Sequence, residues 1–144
     1  MRVLAALAMV ASLSSAGVAA SASDPGVRFT ALPTGWHAAD GYALSWRSRP
    51  TAGGWAAGMP RNGIAVTVIF LRKRVGYPPL RLTLPKRPTG PLEGVPKTRV
   101  YLIVGRSRGR DVEVRAAIRN VNPTPAQLQQ AQRVVSGIRL IPAP

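Results

Sequence analysis

The chain contains no cysteine, a single histidine and only five acidic residues among 144. Without cysteine there is no disulfide, no thiolate nucleophile and no thiolate metal site, so the fold must rest on packing. His37 and the scattered carboxylates of Asp24, Asp40, Glu93, Asp111 and Glu113 form no ligand cluster for zinc or calcium. Aromatic residues make up 6% of the chain. Nor is there a phosphate-cradling loop, because "RPTAGGWAAG" (49–58) lacks the Lys-Ser/Thr ending and a following helix. The expectation is a protein with no cofactor and no bound metal.

Positive charge is what the chain has in excess. Twenty Lys and Arg face five Asp and Glu, for a formal net charge of +15. Such a balance points to polyanionic partners: nucleic acid, acidic envelope polymers or anionic lipid surfaces. Seventeen of the twenty are Arg, alongside abundant Ala, Gly and Pro. A GC-rich coding sequence produces the same bias, so part of the charge has a genomic explanation.

The first residues read as a secretory leader. Met1-Arg2 supplies the basic start, an Ala/Val/Leu/Met run follows, and Ala20-Ser21-Ala22 offers small residues to a signal peptidase. Residues 1–22 are therefore expected to be a signal peptide; cleavage after Ala22 fits best, with Ala20 the alternative. There is no twin-Arg pair, and the lack of cysteine excludes a lipoprotein anchor. No later apolar run has spanning length. Residues 23–144 are expected to form one secreted α+β domain, placed in the medium or cell envelope. Export argues against nucleic acid as the physiological partner, while peripheral contact with a membrane surface stays open.

Dense Pro and Gly punctuate a series of short β-like runs at 28–32, 42–48, 64–71, 99–104 and 111–119. The run 64–71, "IAVTVIFL", is the most β-branched. In the run 111–119, Val112, Val114, Ala116 and Ile118 alternate with Glu113, Arg115 and Arg119. A Pro-rich basic loop is read at about 72–97. In "NPTPAQLQQAQRVVSGIRL", Thr124 caps a helix, Pro125 takes its first position and Gln127 completes a capping box. Leu128, Ala131, Val135 and Ile138 then make one apolar stripe. That stripe must lie on the strands, which predicts an antiparallel sheet of about five to six strands packed against one C-terminal helix.

The opening "LPTGW" (32–36), the meander of strands and the ending "PTPAQLQQAQRVVSGIRL" resemble small exported proteins of actinobacteria. Some of these are similar in fold to the extrinsic photosystem subunit and nuclear import factor superfamily. The resemblance covers most of the chain after the leader, and "PTGW" and the terminal helix are its specific anchors. It implies partner binding rather than catalysis and carries over no functional residue.

Three sets of candidate residues emerge. His37, Asp40 and Ser45 are the only set that suggests nucleophilic catalysis, although no Gly-x-Ser-x-Gly elbow accompanies them. By strand alternation, Arg47, Thr67, Ile69, Tyr101, Ile103, Arg115 and Arg119 are assigned to one outward sheet face. On it Arg donors would pair with carboxylate or phosphate and Tyr101 would stack. The third set is Arg72-Lys73-Arg74, read as a gatekeeper cluster that ends an aggregation-prone strand. If 64–71, 99–104 and 111–119 form a sequential meander, that cluster and the "GRSRGR" turn (105–110) leave opposite ends of the sheet, about 20 Å apart. Asp111 and Glu113 share a strand face, where ion pairing with Arg110 and Arg115 accounts for them.

These observations favour a secreted or cell-envelope, non-enzymatic binding protein whose basic surface engages a protein or an anionic polymer. Two alternatives remain: a small exported hydrolase or lyase using His37, and a cationic binder of nucleic acid or anionic lipid. Nucleic-acid binding requires the two Arg clusters to converge.

Overall fold

The computed structural model describes residues 26–48 and 54–142; the expected leader, 1–22, lies outside them. In chain order the elements are β1 (Gly26–Phe29), β2 (His37–Ala39), β3 (Tyr42–Leu44), a short 3₁₀ turn (Ala56–Gly58), β4 (Ile64–Phe70), β5 (Gly90–Leu92), β6 (Val95–Ser107), β7 (Arg110–Ile118), α1 (Pro125–Ser136) and β8 (Ile138–Ile141). Strands β2-β3-β4-β7-β6-β5 form a six-stranded sheet, antiparallel at every pairing, and β1 pairs with β8 in a separate two-stranded ribbon. With one helix covering the sheet, this is the expected α+β class. Of the run read as a first strand at 28–32, only residues 28 and 29 are in a strand: β1 starts earlier, at Gly26, and lies in the ribbon, where Val27 is opposite Leu140 and Phe29 opposite Ile138.

Period-two alternation divides the sheet into two faces. Ile64, Val66 and Val68 of β4, with Val112, Val114, Ala116 and Ile118 of β7, face α1, which lays Ala131, Val134 and Val135 on them. Thr124 caps α1 and Gln127 completes the capping box. Ile138, read from sequence as the end of the helical stripe, instead begins β8 and is buried there. Gly137 makes that change of direction possible. A Cβ on it would lie 2.8 Å from the Ala31 backbone nitrogen, and its carbonyl accepts from both Thr30 N (2.9 Å) and Thr30 Oγ1 (2.7 Å). On the opposite face Leu44, Met59, Ala65, Val95, Val100 and Ala117 form a second, smaller core, flanked by Trp46 and Trp55 in edge-to-face contact at 6.1 Å.

Two expectations are corrected. First, β6 pairs with β7 so that Tyr101 lies opposite Ala116 and Leu102 opposite Arg115. Tyr101 and Ile103 therefore point toward α1 and are buried, rather than sharing a face with Arg115. A one-residue difference in register moves every side chain of a strand to the other face. Second, the strands do not follow sequence order. β7 inserts between β4 and β6, antiparallel to both, so β4 and β6 run in the same direction.

The chain from β4 to β5 must therefore cross the sheet, and part of the expected loop becomes ordered structure. Pro79 bridges Arg106 in parallel, with Leu80 N–H donating to the Arg106 carbonyl at 3.0 Å. Leu80, Leu82 and Leu84 then pack against the helix-side core. Gln132 of α1 holds this segment by donating to the Leu82 carbonyl (2.9 Å) and accepting from Leu84 N (2.8 Å). Residues 90–97 belong to the β5–β6 hairpin rather than to a loop. Pro91 is tolerated there because β5 is an edge strand. The crossing is possible because residue 105 is glycine: a Cβ at Gly105 would sit 2.3 Å from Leu80 Cα. Backbone cannot yield as a flexible side chain does, so Gly105→Ala is expected to cost about 3 kcal/mol. Thermal unfolding checks this; a melting temperature equal to wild type would show that the 78–84 segment does not rest on β6.

Candidate anion-binding pole

Because β4 and β6 run the same way, the loops that follow them emerge from the same end of the sheet. Arg72-Lys73-Arg74 leaves β4, and the β6–β7 turn carries Arg106, Arg108 and Arg110. Together they surround a depression of about 80 Å³ lined by Leu71, Arg72, Lys73, Arg74, Arg106, Gly109, Arg110 and Asp111. The separation of about 20 Å expected from a meander is thus overturned by strand order. Among the described residues, six basic side chains surround one carboxylate at this pole.

That carboxylate, Asp111 at the start of β7, organises the pole. Its side chain is fully buried, yet it is well satisfied. Val75 N–H donates to Oδ2, as does Gly76 N–H at 3.0 Å, and Tyr77 N–H reaches Oδ1 at 3.3 Å. Arg106 Nη1 completes the set at 3.3 Å from Oδ1. Successive backbone N–H groups converging on one anion form a nest, here filled by the protein's own carboxylate. Burial would push the Asp111 pKa up, but the three backbone N–H bonds and the Arg106 guanidinium hold it below its ordinary value. Asp111 is therefore ionised at neutral pH and fastens the 75–77 segment directly after the basic triplet. The Leu71 N–H bond to the Asp111 carbonyl (2.8 Å) fixes the triplet from its other side.

The turn is equally anchored. Arg106 Nη2 donates to Gly109 O at 2.9 Å, Arg110 Nη2 to Leu71 O at 3.1 Å and Arg108 Nε to Leu140 O at 2.8 Å. Arg108 and Gly109 both adopt positive φ, +50° and +77°. Glycine takes this conformation freely, whereas an arginine there is held by the tight turn. In contrast, Arg72, Lys73 and Arg74 are exposed, and no hydrogen bond or ion pair among the described residues engages them. The pole therefore combines three anchored arginines with three free cations.

The remaining sequence candidates are dispersed. Arg115 sits on the open sheet face, with its side chain 40% exposed, and is paired to Glu113 at 2.8 Å. Tyr77 OH donates to the same Glu113 at 3.5 Å, and its pKa is raised by burial and by that carboxylate. Arg119 lies at the far end of β7, where its guanidinium binds the Met59 carbonyl. Arg47 is exposed beyond the end of β3 that is remote from the pole. Tyr101 is buried beneath α1, its pKa raised by burial. The expected basic groove of Arg47, Tyr101, Arg115 and Arg119 is thus not assembled.

His37 and Asp40 are exposed on β2 and its turn. Ser45 Oγ accepts from Ile64 N at 2.9 Å and so extends the β3–β4 ladder. No hydrogen bond among the described residues joins the three. As expected for Glu113, ion pairing with Arg115 accounts for it; Asp111 pairs with Arg106 rather than Arg110. The "GRSRGR" charge is plain in the sequence, but nothing there puts it beside Arg72-Lys73-Arg74, because no local signal encodes strand order.

Among the described residues no three or more His, Asp or Glu gather in a way that could hold a metal ion, and no helix is long and apolar enough to cross a membrane. The fold defines an α+β protein with a fixed cationic pole. No family model matches the chain, and neither curated proteins nor solved structures yielded a match.

Proposed function

We propose that the protein is an exported, non-enzymatic binding protein of the cell envelope or medium that attaches to an anionic polymer through the pole formed by Arg72, Lys73, Arg74, Arg106, Arg108 and Arg110. The observation that carries this reading is the meeting of two basic loops around a buried, internally satisfied Asp111. Cations held in place by backbone contacts lose less side-chain freedom on binding than free ones do. The leader-like residues 1–22 supply the route out of the cytoplasm, and the resemblance to small exported actinobacterial proteins agrees with a role in partner binding.

Binding of a carboxylated or phosphorylated polymer to the purified protein, measured between 50 and 200 mM salt, tests the reading. If all six cations displace counterions from a flexible single chain, log Kd changes with log salt with a slope near 4, a loss of about 300-fold over that range. Attachment that ignores ionic strength, or no attachment at 50 mM, would remove the electrostatic account. Export is checked separately by sequencing the N-terminus of the protein recovered outside the cell. Ser23 is the expected first residue.

A further inference from the structure

Resting on the polymer-binding reading, we infer that the depression between the two loops is a seat for one phosphate group, and that its occupant is a single phosphate-bearing chain rather than a carboxylated polymer or a duplex. Three observations lead there. The depression is small, about 80 Å³, which suits one compact anionic group rather than a bulky one. Its cations approach from separate walls, the triplet on one side and Arg106 with Arg110 on the other. A planar carboxylate is satisfied by one guanidinium fork, whereas a tetrahedral phosphate presents oxygens in several directions and so uses donors converging from more than one side.

The third observation concerns Asp111, which an incoming anion would otherwise be repelled by. Both its oxygens are already turned to the Val75, Gly76 and Tyr77 N–H groups and to Arg106. Its charge is answered inside the protein, leaving the Arg72-Lys73-Arg74 side chains for the ligand.

The pole also has the width of one chain. β4 and β7 are adjacent strands, about 5 Å apart, and β6 lies one spacing further. The two basic loops thus leave backbones only about 10 Å apart, close enough for neighbouring charges on one polymer strand to reach both. Tyr77, the aromatic residue beside the triplet, is turned toward Glu113, so base stacking plays no part and the phosphates themselves are what is read.

The test compares inorganic polyphosphate, polyglutamate of equal charge and a 20-base-pair DNA duplex for binding to the purified protein at 50 mM salt. Polyphosphate is expected to bind at least about tenfold more tightly than either competitor. Backbone amide and arginine Nε–H resonances should shift at residues 72–76 and at Arg106 and Arg110. An Arg72→Gln/Arg74→Gln protein, whose altered side chains have no partners among the described residues and whose unfolding temperature verifies that it is intact, should lose that preference. Equal binding of polyglutamate overturns the phosphate seat while leaving the general polyanion reading standing, and equal binding of the duplex overturns the single-chain occupant. No binding of any of the three overturns both readings.

Discussion

Neutralising Arg72, Lys73 and Arg74 together is expected to halve the salt dependence of polyanion binding and to weaken binding at 50 mM salt by roughly 100-fold. The reasoning is thermodynamic rather than geometric. Each cation that pairs with a polymer charge releases about 0.7 counterion from a flexible single strand, so removing three of six lowers the slope from about 4 to about 2. The three side chains are exposed and bond to nothing within the described protein, so folding should be untouched. Neutralising Lys86, Arg87 and Lys97 instead, which are exposed and lie outside the pole, is the control. If the control triple weakens binding as much as the pole triple, net charge and not its arrangement drives attachment, and the pole has no special role.

Replacing Asp111 has the largest expected effect on stability. Asp111→Ala strands the N–H groups of Val75, Gly76 and Tyr77 and leaves Arg106 without its carboxylate. Breaking a buried network of this kind is among the few single changes with severe consequences, and a fall in melting temperature of about 10 °C is expected. A pH dependence follows with a definite sign. The folded-state pKa of Asp111 lies below its ordinary value of 3.8, so its contribution is complete above that value and is lost as the pH falls through the lower folded one. Acid unfolding of the wild type should therefore steepen below about pH 4, and Asp111→Asn should lack that component. A variant that unfolds in acid just as the wild type does would mean the carboxylate does not fasten the 75–77 segment. Because the segment continues from Arg72-Lys73-Arg74, Asp111→Asn is also expected to weaken polyanion binding at neutral pH despite removing a negative charge. Simple electrostatics predicts the opposite, so the direction of the change separates positioning from net charge.

The elements that could be read along the chain are those encoded by local pattern. Val112, Val114, Ala116 and Ile118 alternate in sequence and face the core in the structure. Thr124, Pro125 and Gln127 announce a capped helix, and α1 begins where they place it. Tyr42, Leu44 and Trp46 lie at alternate positions of the run 42–48, and all three belong to the second core. The candidate site was legible only in halves. Each basic cluster is plain in the sequence, but their adjacency depends on β7 lying between β4 and β6.

The sequence by itself determined the class of fold, the two longest alternating runs at 64–71 and 111–119, the helix with its cap, and the excess of arginine, since each depends on residues a few positions apart. Only the tertiary structure decided strand order, the register that buries Tyr101 and the meeting of two basic loops around Asp111. Those depend on contacts between residues far apart in the chain, such as Asp111 with Val75–Tyr77 and Gly105 with Leu80. Their pairing energies have no local periodicity to betray them.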